Sequence, residues 1–281
     1  MNIVNNIKRE FRTANSLNKI IYINVFIFLI LNIFSVFFGL FMIDIYDVKE
    51  ELMLPSDINK LISKPWSLVT YMFVHDNFIH LLFNMIWLHF GGKLFLQFLN
   101  QKQLINIYIL GGISGGILFI MAFNYLPAFT LYSENAKAIG ASASVLAVVF
   151  ALTTYTPNYS IQIPLIGYIK LKHIALFYII LDFLSIPKGN AGGHIAHLGG
   201  ALFGYLYIIN SRKSPKSKSK NNTLIKYLIN IFTPLNSRKN KRKNKTNSQK
   251  EIDLVLEKIS KSGYNSLNKE EKDLLFRSSK K

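Results

Sequence analysis

Long uncharged apolar runs separated by short polar stretches dominate the first 211 residues. Ile20 to Ile43 has no charge and is long enough to cross a hydrocarbon core of about 30 Å at helical rise. Trp66 to Gly92 contains a second run, dotted with His75, Asp76, His80, Asn84 and His89. Gln103 to Leu126 is a third, whose Gly111, Gly112, Ser114, Gly115 and Gly116 offer a close-contact face. Ala138 to Thr156 is a fourth, opening on Gly140, Ala141, Ser142, Ala143 and Ser144. His173 to Pro187 is a short fifth, interrupted by Asp182, and Gly189 to Ser211 a sixth, glycine-rich in its first half. This pattern predicts an all-α polytopic membrane protein, a six-helix bundle over residues 20–211 behind a polar arm at 1–19. The mixed segment Asp44 to Pro65 is expected to fold partly into the membrane interface.

Beyond the bundle the pattern changes. From Lys213 to Lys250 the chain is rich in Lys, Ser and Asn, the signature of a flexible linker over 212–250. Within it Leu224 to Phe232 is suited to lie on a bilayer as an amphipathic helix. Residues 251–281 read as a small helical pair. Ile252, Val255, Leu256 and Ile259 have helical spacing, Gly263 ends that helix, and Asn268 with Glu271 forms a capping box for the next.

Charge sharpens this picture. Of a net +18, residues 211–281 contribute +14 and residues 1–210 only +4. With the N-terminus inside, the inner segments before the tail hold Lys8, Arg9, Arg12, Lys19, Lys93, Lys102, Lys170 and Lys172. The outer ones hold Lys49, Lys60, Lys64, Lys137 and Lys188. Both termini are therefore expected to be cytoplasmic, with the basic tail near anionic lipid headgroups. Nothing beyond charge suggests nucleic acid, and none is expected as a partner. Cysteine is absent, which excludes disulfides, thiolate metal sites and cysteine nucleophiles. Met1 to Lys19 is polar and the run behind it is of spanning length, so no cleavable leader is expected.

Candidate chemistry comes from polar residues inside the apolar runs, where such groups are costly and face the bundle interior. Runs two, four and six all travel from outside to inside. His80 and Asn84 fall early in the second, Ser142 early in the fourth and His197 early in the sixth, all at one outer level. His80 and Asn84, four apart, share a helix face. A serine among small residues has two explanations: it lets a neighbouring helix approach closely, or it is a nucleophile at a helix N-terminus. The convergence favours the second. A serine hydroxyl needs a base, which an imidazole supplies, and His80, Asn84 and backbone N–H groups can hold an oxyanion. That set suits acyl transfer. Asp182 is read first as a structural group and only second as an orienting carboxylate. Ser144 is read as packing; His75, His89, His173 and His194 as capping, interfacial or satisfied histidines. No metal or other cofactor is expected, because His75 with His80, or His194 with His197, lacks an acidic or thiolate partner.

These residues resemble the rhomboid family of intramembrane serine proteases, over roughly Ile20 to Asn210. Gly140-Ala141-Ser142-Ala143 is similar to the family's Gly-x-Ser-Gly motif, and Ala196-His197-Leu198-Gly199-Gly200-Ala201 to its Ala-His-x-Gly-Gly motif. His75, His80 and Asn84 match its His-rich second helix, and Pro65-Trp66 with Thr70-Tyr71-x-Phe73-x-His75 resembles the end of its first outer loop. The chain departs from the pattern at Ala143, at Ser67 (an Arg in the family, following Trp66) and at Leu146, where an aromatic often meets the histidine. The terminal SLNKEEKDLLF resembles a short tail on some bacterial rhomboids.

The resemblance implies a bacterial inner-membrane serine endopeptidase that cleaves transmembrane segments of other proteins by a Ser142–His197 dyad. It implies His80 and Asn84 in the oxyanion hole and substrate entry beside the fifth span. The alternatives are a non-catalytic rhomboid-like binder of membrane segments, and an inert anchor whose basic tail recruits a partner. Substrate identity and oligomeric state are not legible.

Overall fold

The computed structural model describes residues 3–42, 46–163 and 167–213, and from the tail residues 254–255, 257–259, 267–268 and 270–272. In chain order the helices are α1 (Ile3–Thr13), α2 (Ser16–Gly39), α3 (Tyr46–Leu52), α4 (Ile58–Ser63), α5 (Ser67–Thr70), α6 (Phe78–Phe98), α7 (Gln101–Tyr125), α8 (Pro127–Thr130), α9 (Ser142–Tyr155), α10 (Leu171–Ser185) and α11 (Ala191–Lys213). Between them run β1 (Leu54–Pro55), β2 (Lys137–Ala138), β3 (Ser160–Ile163) and β4 (Gly167–Lys170).

The chain folds into two compact units, residues 14–233 and a second made of residues 1–13 with 234–281. In the larger unit the ends of the long helices are set by local chemistry. Asn15 caps α2 by accepting a hydrogen bond from the Asn18 N–H, so the helix opens ahead of the expected Ile20. Asn77 caps α6 through the His80 N–H, so residues 66–73 become a separate short helix and 3₁₀ turn. Asn100 and Gln103 form a reciprocal capping box that opens α7 directly behind α6.

Two two-stranded sheets depart from the all-α expectation. β1 pairs antiparallel with β2, matching Leu54 to Ala138, and β3 with β4, matching Ser160 to Lys170. The six-span count is met only in part. Only α2, α6 and α7 are both long and apolar enough to cross a membrane among the described residues. At 14 and 15 residues, α9 and α10 reach only about 21–23 Å, while α11 is diluted by His194, His197 and a run of glycines.

The core lies where α7, α9 and α11 meet. Small residues make that approach possible: a Cβ on Gly200 would lie 2.1 Å from the Ala143 carbonyl oxygen, and one on Gly204 2.1 Å from that of Ala147. Backbone therefore packs on backbone along this seam.

In the smaller unit, residues 3–13 of the expected polar arm are helical as α1. The Asn268 side chain accepts from the Glu271 N–H while Glu271 accepts from the Asn268 N–H, both at 2.8 Å, and Lys258 pairs with Glu271. The interfacial helix expected at 224–232 lies outside the described residues, as does Gly263.

Candidate active site

Ser142 is the first residue of α9, and its position is prepared by the three residues before it. Ala138 is held in the β1–β2 pair. Gly140 then takes a left-handed backbone (φ +108°), and its N–H donates to the Tyr71 carbonyl at 2.9 Å. The Ala141 N–H points at His75 Nε2 (3.4 Å). His75, anticipated as a capping or interfacial histidine, thus braces the turn that presents the serine. Ala141 gives α9 no side-chain cap, so N–H groups of the first turn stay available beside Ser142.

The other expected residues gather around this point. A methyl on Gly140 would lie 2.7 Å from His80 Nε2 and 3.8 Å from Ser142 Oγ, so these two polar atoms flank one small space. Asn84 is buried and donates one amide hydrogen to the His80 carbonyl one turn back (2.9 Å), which leaves its second N–H. A Cβ on Gly115 of α7 would touch both the Ala196 carbonyl and the Ala143 side chain. The turns of α11 and α9 that carry His197 and Ser142 thus pack against one point of α7. No hydrogen bond joins Ser142 to His197 among the described residues. Ser144 faces the opposite way: it is fully buried against Met72 (Oγ to Sδ 3.7 Å) and Gly112, as packing requires. His89 and His173 are exposed on α6 and α10.

A cleft opens at Ser142 between α6, α9 and α10. Its walls are Asn84, Trp87, Val145, Ile174 and Tyr178 among others, so an apolar trough carries a few polar groups at one end.

One contact was anticipated only as a second reading, and two features were not foreseen. His197 Nδ1 lies 3.1 Å from both carboxylate oxygens of Asp182, and His194 Nδ1 lies 2.7 Å from Oδ1. The acidic partner that the two histidines lacked on paper is therefore present. The donor atoms of Asp182, His194 and His197 lie within 4.8 Å of one another, a set chemically able to hold a cation. The ring that meets His197 is Tyr178 of α10, with centroids 6.5 Å apart, while Leu146 packs with Phe150, Ala175 and Ala201. The segment between α2 and α6 is fastened without the Arg expected after Trp66: Glu50 pairs with Lys137, Glu51 with Lys64, and Trp66 Nε1 donates to the Glu51 carbonyl at 2.8 Å. Asp182 and Tyr178, four apart in the uncharged part of α10, were the available signal.

A model of the rhomboid domain matches residues 63–213, more than half of the chain, and the chain belongs to the rhomboid family. Residues 238–281 match a family of unknown function (DUF6576). The chain is similar to RHOMBOID-like protein 12, mitochondrial, of Arabidopsis thaliana, at 26% identity over 144 residues, 48% of this chain and 43% of the relative. It is also similar to Presenilin-associated rhomboid-like protein A, mitochondrial, of Danio rerio, at 29% identity over 144 residues, 50% of this chain and 36% of the relative. The chain thus spans about two fifths of the length of these curated relatives. The expectation of a bacterial rhomboid in a bacterial inner membrane is overturned by these matches, since both relatives are named as mitochondrial proteins of eukaryotes.

Proposed function

We propose that the chain is an intramembrane serine endopeptidase of rhomboid type, hydrolysing peptide bonds in or near transmembrane segments of other membrane proteins. The observation that supports this reading is the backbone contact of α11 on α9 at Gly200 and Ala143, three residues after His197 and one after Ser142, with Ser142 lining a cleft. Ser142 Oγ attacks the scissile carbonyl carbon while His197 Nε2 takes its proton, and the carbonyl electron pair moves onto oxygen. His80, the free N–H of Asn84 and the Ser142 backbone N–H hold that oxyanion over Gly140. Collapse breaks the C–N bond, and the proton on His197 leaves with the amine. Water then repeats the sequence on the acyl-enzyme, releases the carboxylic acid and restores Ser142.

In this reading α2, α6, α7, α9, α10 and α11 are the six membrane segments, with both termini on the more basic side. The apolar trough between α6, α9 and α10 takes the substrate helix, and the basic tail lies against anionic headgroups. A second reading, a non-catalytic binder of membrane segments, is favoured by the missing Ser142–His197 hydrogen bond. Fluorophosphonate labelling of the detergent-purified parent, Ser142→Ala, Ser144→Ala and His197→Ala forms separates the two. The protease reading expects labelling to vanish with Ser142 and His197 and persist without Ser144. An unlabelled but folded parent would select the binder, and cleavage of a membrane substrate by Ser142→Ala at the parent rate would end the protease reading.

A further inference from the structure

We infer that Asp182 is the positioning carboxylate of His197, so that the site works through Ser142, His197 and Asp182 in place of a bare dyad. The inference rests on the protease reading above. Its starting point is a cost: α10 is otherwise uncharged from Ile174 to Ser185, and a buried carboxylate there must be compensated. Leu181 and Phe183 on either side of it are about half exposed, whereas Asp182 is only 6% exposed. The helix thus turns its one acidic side chain inward.

What meets it there is the base. Both Asp182 oxygens lie 3.1 Å from His197 Nδ1. An ionised carboxylate only accepts hydrogen bonds, so this contact assigns the proton of the neutral imidazole to Nδ1 and leaves the lone pair on Nε2. Nε2 is the atom that must take the serine proton. The carboxylate therefore does two things for the reaction: it selects the productive tautomer, and it stabilises the imidazolium formed when Ser142 gives up its proton.

The surroundings hold the carboxylate in this role. His194, one turn before His197 on α11, donates from Nδ1 to Oδ1 at 2.7 Å, so Asp182 is gripped by two imidazoles on one helix face. Tyr178, one turn before Asp182 on α10, brings its ring 6.5 Å from that of His197. The titratable groups facing His197 are thus Asp182 and Tyr178 from α10, His194 from its own helix and His80 from α6. Of these, Asp182 supplies the negative charge.

The test uses the full chain, reconstituted in liposomes with a cleavable transmembrane substrate, as parent, Ser142→Ala, Asp182→Asn and Asp182→Glu. With Asp182→Asn, kcat is expected to fall about 10²- to 10⁴-fold while KM changes less than about threefold. Asp182→Glu keeps the charge and should recover part of kcat. Full kcat in Asp182→Asn would overturn the inference. So would a loss matched by an equal fall in titratable active sites, with no recovery of kcat in Asp182→Glu, since that marks a purely structural group. Activity of the parent abolished by EDTA and restored by zinc would overturn it in favour of a metal centre at Asp182, His194 and His197. If Ser142→Ala cleaves like the parent, the protease reading itself has failed; if only Asp182→Asn does, the reading stands and this inference falls.

Discussion

Helices α9 and α10 are near twins in sequence terms, 14 and 15 residues long and strongly apolar, yet the bundle treats them differently. In α9, ten residues from Ala143 to Thr153 are buried; in α10, only Leu171, Ala175 and Asp182. The first is clamped on α7 and α11 through backbone contacts, while the second lies at the rim and forms one wall of the cleft. Chemistry is divided along the same line. The proposed nucleophile sits at the start of the central helix, and the carboxylate and the phenol ring that meet the proposed base come from the rim helix. The lesson is that precision and access are supplied by different elements. A serine protease inside a bilayer needs both, since the scissile bond must arrive from the side and still meet a fixed serine.

The comparison is broken most directly at the clamp. Gly204→Val would drive a side chain into the Ala147 carbonyl, 2.1 Å from its Cβ, with the Ala151 nitrogen 3.0 Å away. Neither neighbour is a flexible side-chain end, so a loss of about 1–3 kcal/mol or more is expected, read as a lowered thermal midpoint in detergent. On α10 the equivalent insult should be nearly silent. Leu181→Ala and Phe183→Ala remove groups that are 47% and 63% exposed, and each is expected to stay within about 0.5 kcal/mol of the parent. Equal losses in both helices would erase the distinction drawn here.

How much of this was legible along the chain depends on whether the signal was local. Ser142, His80, Asn84 and His197 stand out because each is a polar residue in an apolar run, and a common depth follows from counting residues along helices. Helix ends were less legible: the Asn15 and Asn77 caps moved α2 and α6 away from the edges of their hydrophobic runs, because a cap is decided by one side chain and not by mean hydropathy. Pairings between distant segments were the least legible. Nothing in the sequence says that Leu54 pairs with Ala138, and Asp182 could be read only second as an orienting carboxylate for His197. Tyr178 taking the aromatic place expected one turn after the serine is the same kind of fact. The role of the ring can be met from either helix, and only packing decides which.

A finer test separates the two serines of α9. Ser144 is wedged between Met72 and Gly112, so Ser144→Ala should cost at most about 1 kcal/mol and leave fluorophosphonate labelling at the parental rate. Loss of labelling there, with the fold intact, would move the nucleophile off Ser142 and undo the division between a central helix that reacts and a rim helix that positions.

The smallest effect is expected outside both helices, at the strap that sets the turn before Ser142. Lys137 in β2 pairs with Glu50 in α3, and this ion pair holds the Glu50 carboxyl below the usual carboxylate range, with Lys60 and Lys64 adding to the pull. A carboxylate with a depressed folded pKa binds fewer protons folded than unfolded, so its contribution is present above the unfolded value and is lost as pH falls through the folded one. Both side chains are partly exposed, which limits the pair to about 0–1 kcal/mol. Thermal midpoints should therefore decline slightly more below about pH 4.5 in the parent than in Glu50→Gln. The two curves should converge in acid, where Glu50 is already protonated. A Glu50→Gln midpoint equal to the parent's at neutral pH would show that β1–β2 pairing alone holds the turn. The site would then owe its geometry to the backbone ladder and the α9 clamp, with no share from charge.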